Sequence, residues 1–342
     1  MSFSRHPITR RQALAAGAGL AGALALPGLA ATTPASGRWV RCPDNPVLSL
    51  GPEGAFDHFN MFAPCAVKVK GRTYLYYSGG PNDKYTRYQI GLALSDDGVH
   101  FKKTGKPLFP LTDRFNFHAT PAVLRRPDTR LLTENGFWHM VFDGNRGNDV
   151  LHATSPDGLT WTLDPKNPIY RRAYAPCLLK VGGEYRMYHV YGGKRPWEIH
   201  LATGPDLYSL KPHPKNPMLI LDQHNWEATD RPGTSALVYP YVFQEGKTWI
   251  MYYASYWKSG WKDEPYTTAM GMATSADGIT WTKNPDNPVF TPTHGSSYDG
   301  AYVSSESIIR DGDGYKMYYG ARIDVLHKYF CIGLATWKGK ML

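Results

Sequence analysis

Trp39-Val40-Arg41-Cys42-Pro43-Asp44-Asn45-Pro46 has the form of an outer strand closed by an Asn-Pro stop, and it stands ahead of the first hairpin of the chain. The same stop recurs at Asn167-Pro168, Asn216-Pro217 and Asn287-Pro288, with Lys106-Pro107 as a degenerate copy. The last repeat instead ends at Gly333-Leu334-Ala335-Thr336-Trp337 with no outer strand after it. A surplus strand at the start and a missing one at the end predict a single position: the N-terminal strand pairs with Cys331–Ala335 and completes the last repeat. Such closure removes the free sheet edges that would invite aggregation.

Between these ends a unit recurs about every sixty residues, a period that points to repeated β-sheets around a channel. Each unit opens with a hairpin: Ala63-Pro64-Cys65 to Tyr77, Thr120-Pro121-Ala122 to Phe142, Ala175-Pro176-Cys177 to Tyr188, Tyr239-Pro240-Tyr241 to Tyr253, and Ser305-Glu306-Ser307 to Tyr319. A second half follows, with Ser-x-Asp-Gly turns at Ser95–Gly98, Ser155–Gly158 and Ser275–Gly278, each needing glycine at positive φ. The prediction is an all-β chain, a five-bladed β-propeller over residues 38–342, in which Asp97, Asp157 and Asp277 serve the turns.

The composition agrees: 20% charged and 13% aromatic residues with 34 glycines and 27 prolines fit a turn-dense β protein of 342 residues. Residues 1–30 read as a twin-arginine export signal and 31–37 as a linker. Arg10-Arg11 precede the apolar run Ala13–Leu26 and a small-residue cleavage site. That run, broken by Gly17, Gly19 and Gly22, is short for a bilayer span. The mature protein is therefore expected in the periplasm or outside the cell, off the membrane. Cleavage removes Arg5, Arg10 and Arg11 and takes the formal charge from +9 to +6. The remaining excess is dispersed, so nucleic acid is a poor partner and an anionic sugar is compatible.

The repeat resembles the five-bladed propeller glycosidases, nearest in style to glycoside hydrolase family 43 and its relatives. That resemblance implies a carbohydrate substrate and carboxylate acid/base chemistry, with an inverting course. Family 43 places Asp before proline in the first two blades and Glu two before proline in the third. Here Ala63, Thr120 and Tyr174 hold those positions. The Asn-Asp-Pro-Asn signature of fructan-cleaving propellers is absent as well. His118, on the channel side, reads first as a satisfied structural histidine, with a sugar ligand, a proton carrier or a ligand for the axial ion of some relatives as its alternatives; no cofactor is otherwise required, and no His/Cys cluster has zinc spacing.

The inner-strand entrances and hairpin exits surround one channel mouth. Glycosidic cleavage needs two flanking carboxyl groups, and Asp57, Glu227 and Glu306 are the catalytic candidates. Glu306 stands where the other four repeats have proline, with Arg322 as a salt-bridge partner in the alternative, structural role. Asp57 and Asp299 belong to Phe56-Asp57 and Tyr298-Asp299, which favours a structural task for the pair. His58, His118, Asp143, Arg146, Tyr174, Asp230, Arg231, Tyr256, Trp257, Asp299 and Arg322 are the candidates for sugar binding. Arg146, Arg231, Arg322 and Lys328 would serve a phosphorylase, and the aromatic residues alone would serve a non-catalytic carbohydrate-binding propeller. Superposing the repeats puts Cys42 opposite Cys331, a geometry that fits a disulfide, and leaves Cys65 and Cys177 unpaired.

Overall fold

The computed structural model describes residues 38–82, 86–145, 148–192, 196–222, 226–227, 236–257 (the Trp257 side chain excepted), 267–323 and 331–342. Among the described residues every helix or strand is a strand. β1 (Val40–Arg41) and β2 (Leu48–Ser49) precede an antiparallel ladder of β3 (Asn60–Val69), β4 (Arg72–Gly80), β5 (Gln89–Ser95) and β6 (Lys102–Lys103). The second ladder is β7 (His118–Val123), β8 (Trp138–Gly144), β9 (Asp149–Ser155) and β10 (Thr162–Leu163), with β11 (Tyr170–Arg171) also on β9. The third is β12 (Ala173–Val181), β13 (Glu184–Tyr191), β14 (Ile199–Gly204) and β15 (Lys211–Pro212). The fourth is β16 (Leu237–Glu245), β17 (Thr248–Trp257), β18 (Thr267–Ser275) and β19 (Thr282–Lys283). β20 (Tyr302–Asp311), β21 (Gly314–Arg322) and β22 (Cys331–Trp337) make the last, which β1 completes through Val40↔Thr336 and Arg41↔Ala335. One parallel bridge, Thr268↔Tyr302, joins the last two ladders in a single sheet.

Side chains explain the recurring signatures. Each Asn before the stop proline uses its amide as a substitute peptide group: Asn45 bonds both backbone groups of Leu334, Asn167 those of His152, Asn216 those of Leu201 and Asn287 those of Met272, at 2.7–3.0 Å. That pairing ends the outer strand where proline has no N–H to give. In the Ser-x-Asp-Gly turns the Asp carboxylate accepts the backbone N–H groups two and three residues on, as Asp97 does from Val99 and His100 at 2.8 Å. The His100 ring together with those backbone bonds holds Asp97 below the usual carboxylate range, and the equivalent backbone bonds hold Asp157 below it and take Asp277 to about 2.

The turns also tie ladders together. Tyr76 donates to the carbonyl of Gly158, Tyr188 to that of Gly278, and Tyr318, in the last ladder, to that of Gly98 in the first. Five apolar clusters fill the spaces between successive ladders, one of them packing Ile309, Tyr318 and Ile332 of the last against Ala66, Leu75 and Tyr77 of the first. The first strands touch in the order β3, β7, β12, β16, β20 and back to β3.

The register corrects the expected disulfide. The Cys42 N–H donates to Leu334, and β2 then brings Ser49 opposite Cys331. Cys42 and Cys331 are both free thiols, because the short strand around Arg41 keeps the register of the fourth ladder, where the Asn284 N–H donates to Met272, and so places Cys42 beside Leu334, three residues from Cys331. Cys65 and Cys177 are free too.

Candidate functional site

One residue of each first strand bulges at the same place. The register slips by one between Phe62/Cys65, Ala119/Ala122, Tyr174/Cys177, Val238/Tyr241 and Ser304/Ser307. At each slip a non-glycine residue takes positive φ: Ala63 48°, Thr120 49°, Ala175 48°, Tyr239 55° and Ser305 52°. Left-handed backbone is costly for such residues, most of all for β-branched Thr120, and its clustering marks a site that the surrounding structure holds in place. The five bulges line one cavity of ≈ 50 Å³, to which Cys65, Arg125, Cys177, Tyr241 and Glu306 also contribute. It admits a few waters, far less than the ~300–1,000 Å³ of small-molecule pockets.

The extended turn of the second hairpin crosses one end of this cavity. Arg125 offers its carbonyl to the Lys180 N–H, Pro127 its carbonyl to the Gln244 N–H, and Thr129 its hydroxyl oxygen to the Arg310 N–H, so the turn is fastened to the third, fourth and last ladders. At the bulge level the surroundings are aromatic and apolar. Tyr174 and Tyr239 join hydroxyls at 2.6 Å, Trp197 lies against Tyr174, and Phe62, Tyr256 and Tyr302 belong to the same cluster.

Glu306 lines the cavity with 4% exposure and neither carboxyl oxygen hydrogen-bonded. Burial pushes its pKa up to about 8. The salt bridge to Arg322, the alternative structural role for Glu306, does not form: the Arg322 guanidinium stacks 4.3 Å over the Tyr302 ring, and its residue pairs with Tyr302 across β20 and β21. Asp143 is fully buried on β8 opposite Ala119. His58 is half-buried, its Nδ1 bonded to the Ala55 carbonyl at 2.7 Å. Arg146, Asp230, Arg231, Lys328 and the Trp257 side chain lie outside the described residues.

His118 is completely buried, set nearly perpendicular to the stacked rings of Phe109 and Phe142, with neither ring nitrogen bonded, and it does not line the axial cavity. Burial lowers its pKa to about 4. A folded-state value below the ordinary 6.5 means that stability is complete above pH 6.5 and is lost as pH falls towards 4. His118→Phe, which fits the same aromatic slot, is therefore expected to gain about 3 kcal/mol relative to wild type at pH 4 and little at pH 7. Acid unfolding curves of the two proteins that coincide would show that His118 is paired in solution.

Asp57, Glu227 and Asp299 are drawn into three copies of one arrangement. Asp57 accepts from Tyr77 at 2.9 Å and Lys103 at 2.6 Å. Glu227 accepts from Tyr253 at 2.7 Å, Lys283 at 2.5 Å and the Asp222 N–H at 2.8 Å. Asp299 meets Arg41 at 2.6 Å and Tyr319 at 3.4 Å. In each, the tyrosine comes from the second strand of the ladder and the cation from its outer strand, and Gly91, Gly271 or Gly333 leaves room for the tyrosine ring. An aromatic residue precedes each acid, so Trp226-Glu227 is the third copy of Phe56-Asp57 and Tyr298-Asp299. It escaped the sequence reading because its connection to the next hairpin is longer. The acids thus serve three separate ladders and do not converge with Glu306.

Arg125, Cys65 and Cys177 at the cavity were not singled out from sequence. The one available signal was the length of the second hairpin's turn, Leu124 to Phe137 against Lys70-Gly71 in the first.

No family model matches the chain. It is 27% identical over 202 residues to a 1,2-beta-oligomannan phosphorylase of Thermoanaerobacter sp. (strain X514), spanning 55% of this chain and 63% of that protein's length. An uncharacterized protein of Mycobacterium tuberculosis is 24% identical over 63% of this chain and 74% of its own. Among solved structures, a glycoside hydrolase superposes with TM-score 0.69 at 17% identity over 86% of this chain and 91% of its own. A beta-1,2-mannobiose phosphorylase from Listeria innocua gives 0.65 at 16% identity over 88% and 96%. A structure described under the GH130 family of mannoside phosphorylases, which contains glycoside hydrolases that target beta-1,2 mannosidic linkages in Candida mannan, gives 0.66 at 18% over 92% and 96%. The shared fold is that of this group rather than of family 43 specifically.

Proposed function

We propose that this chain is an exported carbohydrate-active enzyme, a five-bladed β-propeller that cleaves a glycosidic bond at the bulge-lined mouth of its channel. The observation that carries the reading is Glu306, the one acid among the described residues that lines the axial cavity, its carboxyl oxygens unbonded and its proton retained to about pH 8. A protonated carboxyl at neutral pH is what a general acid needs to hand a proton to a leaving oxygen. The cavity is too small for a sugar ring, so the sugar sits above it beside Tyr174 and Tyr239 and the proton passes through an intervening water. The likeness to glycoside hydrolases and mannoside phosphorylases supports the chemistry, and the cyclic contacts of the first strands support the ring.

Phosphorolysis is a second reading with its own observation. Hydrolysis needs a second carboxylate to activate water, yet Asp57, Glu227 and Asp299 are all held by cations. Phosphate brings its own nucleophilic oxygen and needs only one acid from the protein. The deciding experiment incubates the purified protein with β-1,2-linked mannooligosaccharides, and with a wider oligosaccharide panel, with and without inorganic phosphate. Sugar phosphate formed only with phosphate identifies a phosphorylase, and free sugar in both conditions identifies a hydrolase. Binding without turnover in either condition overturns the enzyme reading in favour of a carbohydrate-binding propeller.

A further inference from the structure

Arg125 begins the turn that crosses the channel, and its side chain lines the axial cavity with only 6% exposure. Its guanidinium lies 4.1 Å from the Tyr241 ring centre, and Nη2 donates to the Cys177 sulfur at 3.1 Å. Nη1 is buried with no hydrogen-bond partner. Cys177 gives no countercharge, since burial raises its pKa and keeps it a neutral thiol, as it does for Cys65 at about 11. Glu306, the single acid among the described residues of the cavity, is neutral below about pH 8, and neither of its oxygens is hydrogen-bonded to a cation among them. A buried guanidinium without a countercharge is expensive, by several kcal/mol.

We propose that the axial cavity binds one halide-sized monovalent anion, held by Arg125 Nη1 on the face of the guanidinium that the protein leaves unbonded. A cavity of ≈ 50 Å³ takes one small ion with a water or two. The site differs in place and sign from a cation on His118, which does not reach this cavity. The anion shares the cavity with Glu306, but its binding requires no glycosidic cleavage, so a chain inactive on every sugar would still show it.

Crystals of the wild-type protein in sodium bromide provide the direct test. An anomalous peak is expected within hydrogen-bonding distance of Arg125 Nη1. In solution, the melting temperature should rise by about 3 °C or more between sodium gluconate and sodium bromide at equal ionic strength and saturate with concentration. In Arg125→Met that response should vanish, since methionine packs over Tyr241 without a charge. Ordered water with no anomalous signal at Nη1, or an equal bromide response in Arg125→Met, overturns the proposal. If Arg125→Met does not fold, the wild-type bromide map alone decides.

Discussion

Glu306→Gln is expected to lower turnover by about 10²–10⁴ while making the protein more stable, not less, at pH 8. The stability half follows from the sign of the pKa shift. Burial raises Glu306 from 4.5 to about 8, so the folded protein holds a proton that the unfolded chain releases. The acid's contribution is full below about pH 4.5 and is lost as pH rises through 8, with an upper bound of about 5 kcal/mol. Glutamine stays neutral throughout and escapes that penalty, although its amide also enters a site with no partner, which takes back part of the gain. Melting temperatures of both proteins from pH 5 to pH 9 should therefore diverge, with the variant ahead at the alkaline end. Turnover is measured on the same samples, with whichever substrate the wild type cleaves. Full activity in the folded variant would remove Glu306 from the chemistry. A variant that melts lower at pH 8 would show an ionised, paired Glu306 instead.

Glu227→Gln should do the reverse, costing about 3 kcal/mol of stability with turnover close to wild type in the folded fraction. Its carboxylate is fully buried, and the partner Lys283 is only 21% exposed, so removing the negative charge leaves an ammonium poorly hydrated and Tyr253 with a weaker acceptor. Lys283→Met in the same chain removes the stranded charge and should recover most of the loss, which a denaturant titration of the four proteins of the cycle would measure. Asp57 with Lys103 should follow the same pattern, because the same tyrosine and lysine positions hold it. A Glu227→Gln protein that melts normally but has lost its turnover by two orders of magnitude would return Glu227 to the catalytic group.

These opposite expectations for two buried glutamates show where the sequence stops being informative. Both residues are acids near a first strand, and the identity of neither says whether a cation lies within reach. For Asp57 and Asp299 the repeated aromatic-acid pair hinted at a shared structural task. The same pair at Trp226-Glu227 was hidden by a longer connection, so Glu227 looked like a loop residue free to do chemistry. Cys42 shows the same limit in the backbone. Its place in the repeat was legible, but its partner on β22 was not: Cys42 lies beside Leu334, three residues from Cys331, and both thiols are free.

By itself the sequence determined the all-β character of the chain, the hairpin at the head of every repeat, the turns that Asp97, Asp157 and Asp277 serve, and the pairing of the first strand with the last. The hairpins and turns are written in local signals, glycine at positive φ and the Asn-Pro stop, which act over a few residues, and the closure follows from counting those signals along a fixed period, which requires no knowledge of side-chain neighbours. Only the tertiary structure decided which acids are ion-paired, which residues share the axial cavity, and that Arg125 is carried there by a turn fastened to three other ladders. Those outcomes depend on distances between segments far apart in the chain, and burial, which sets the charge state of Glu306 and His118, is a property of the assembled ladders and of no single stretch.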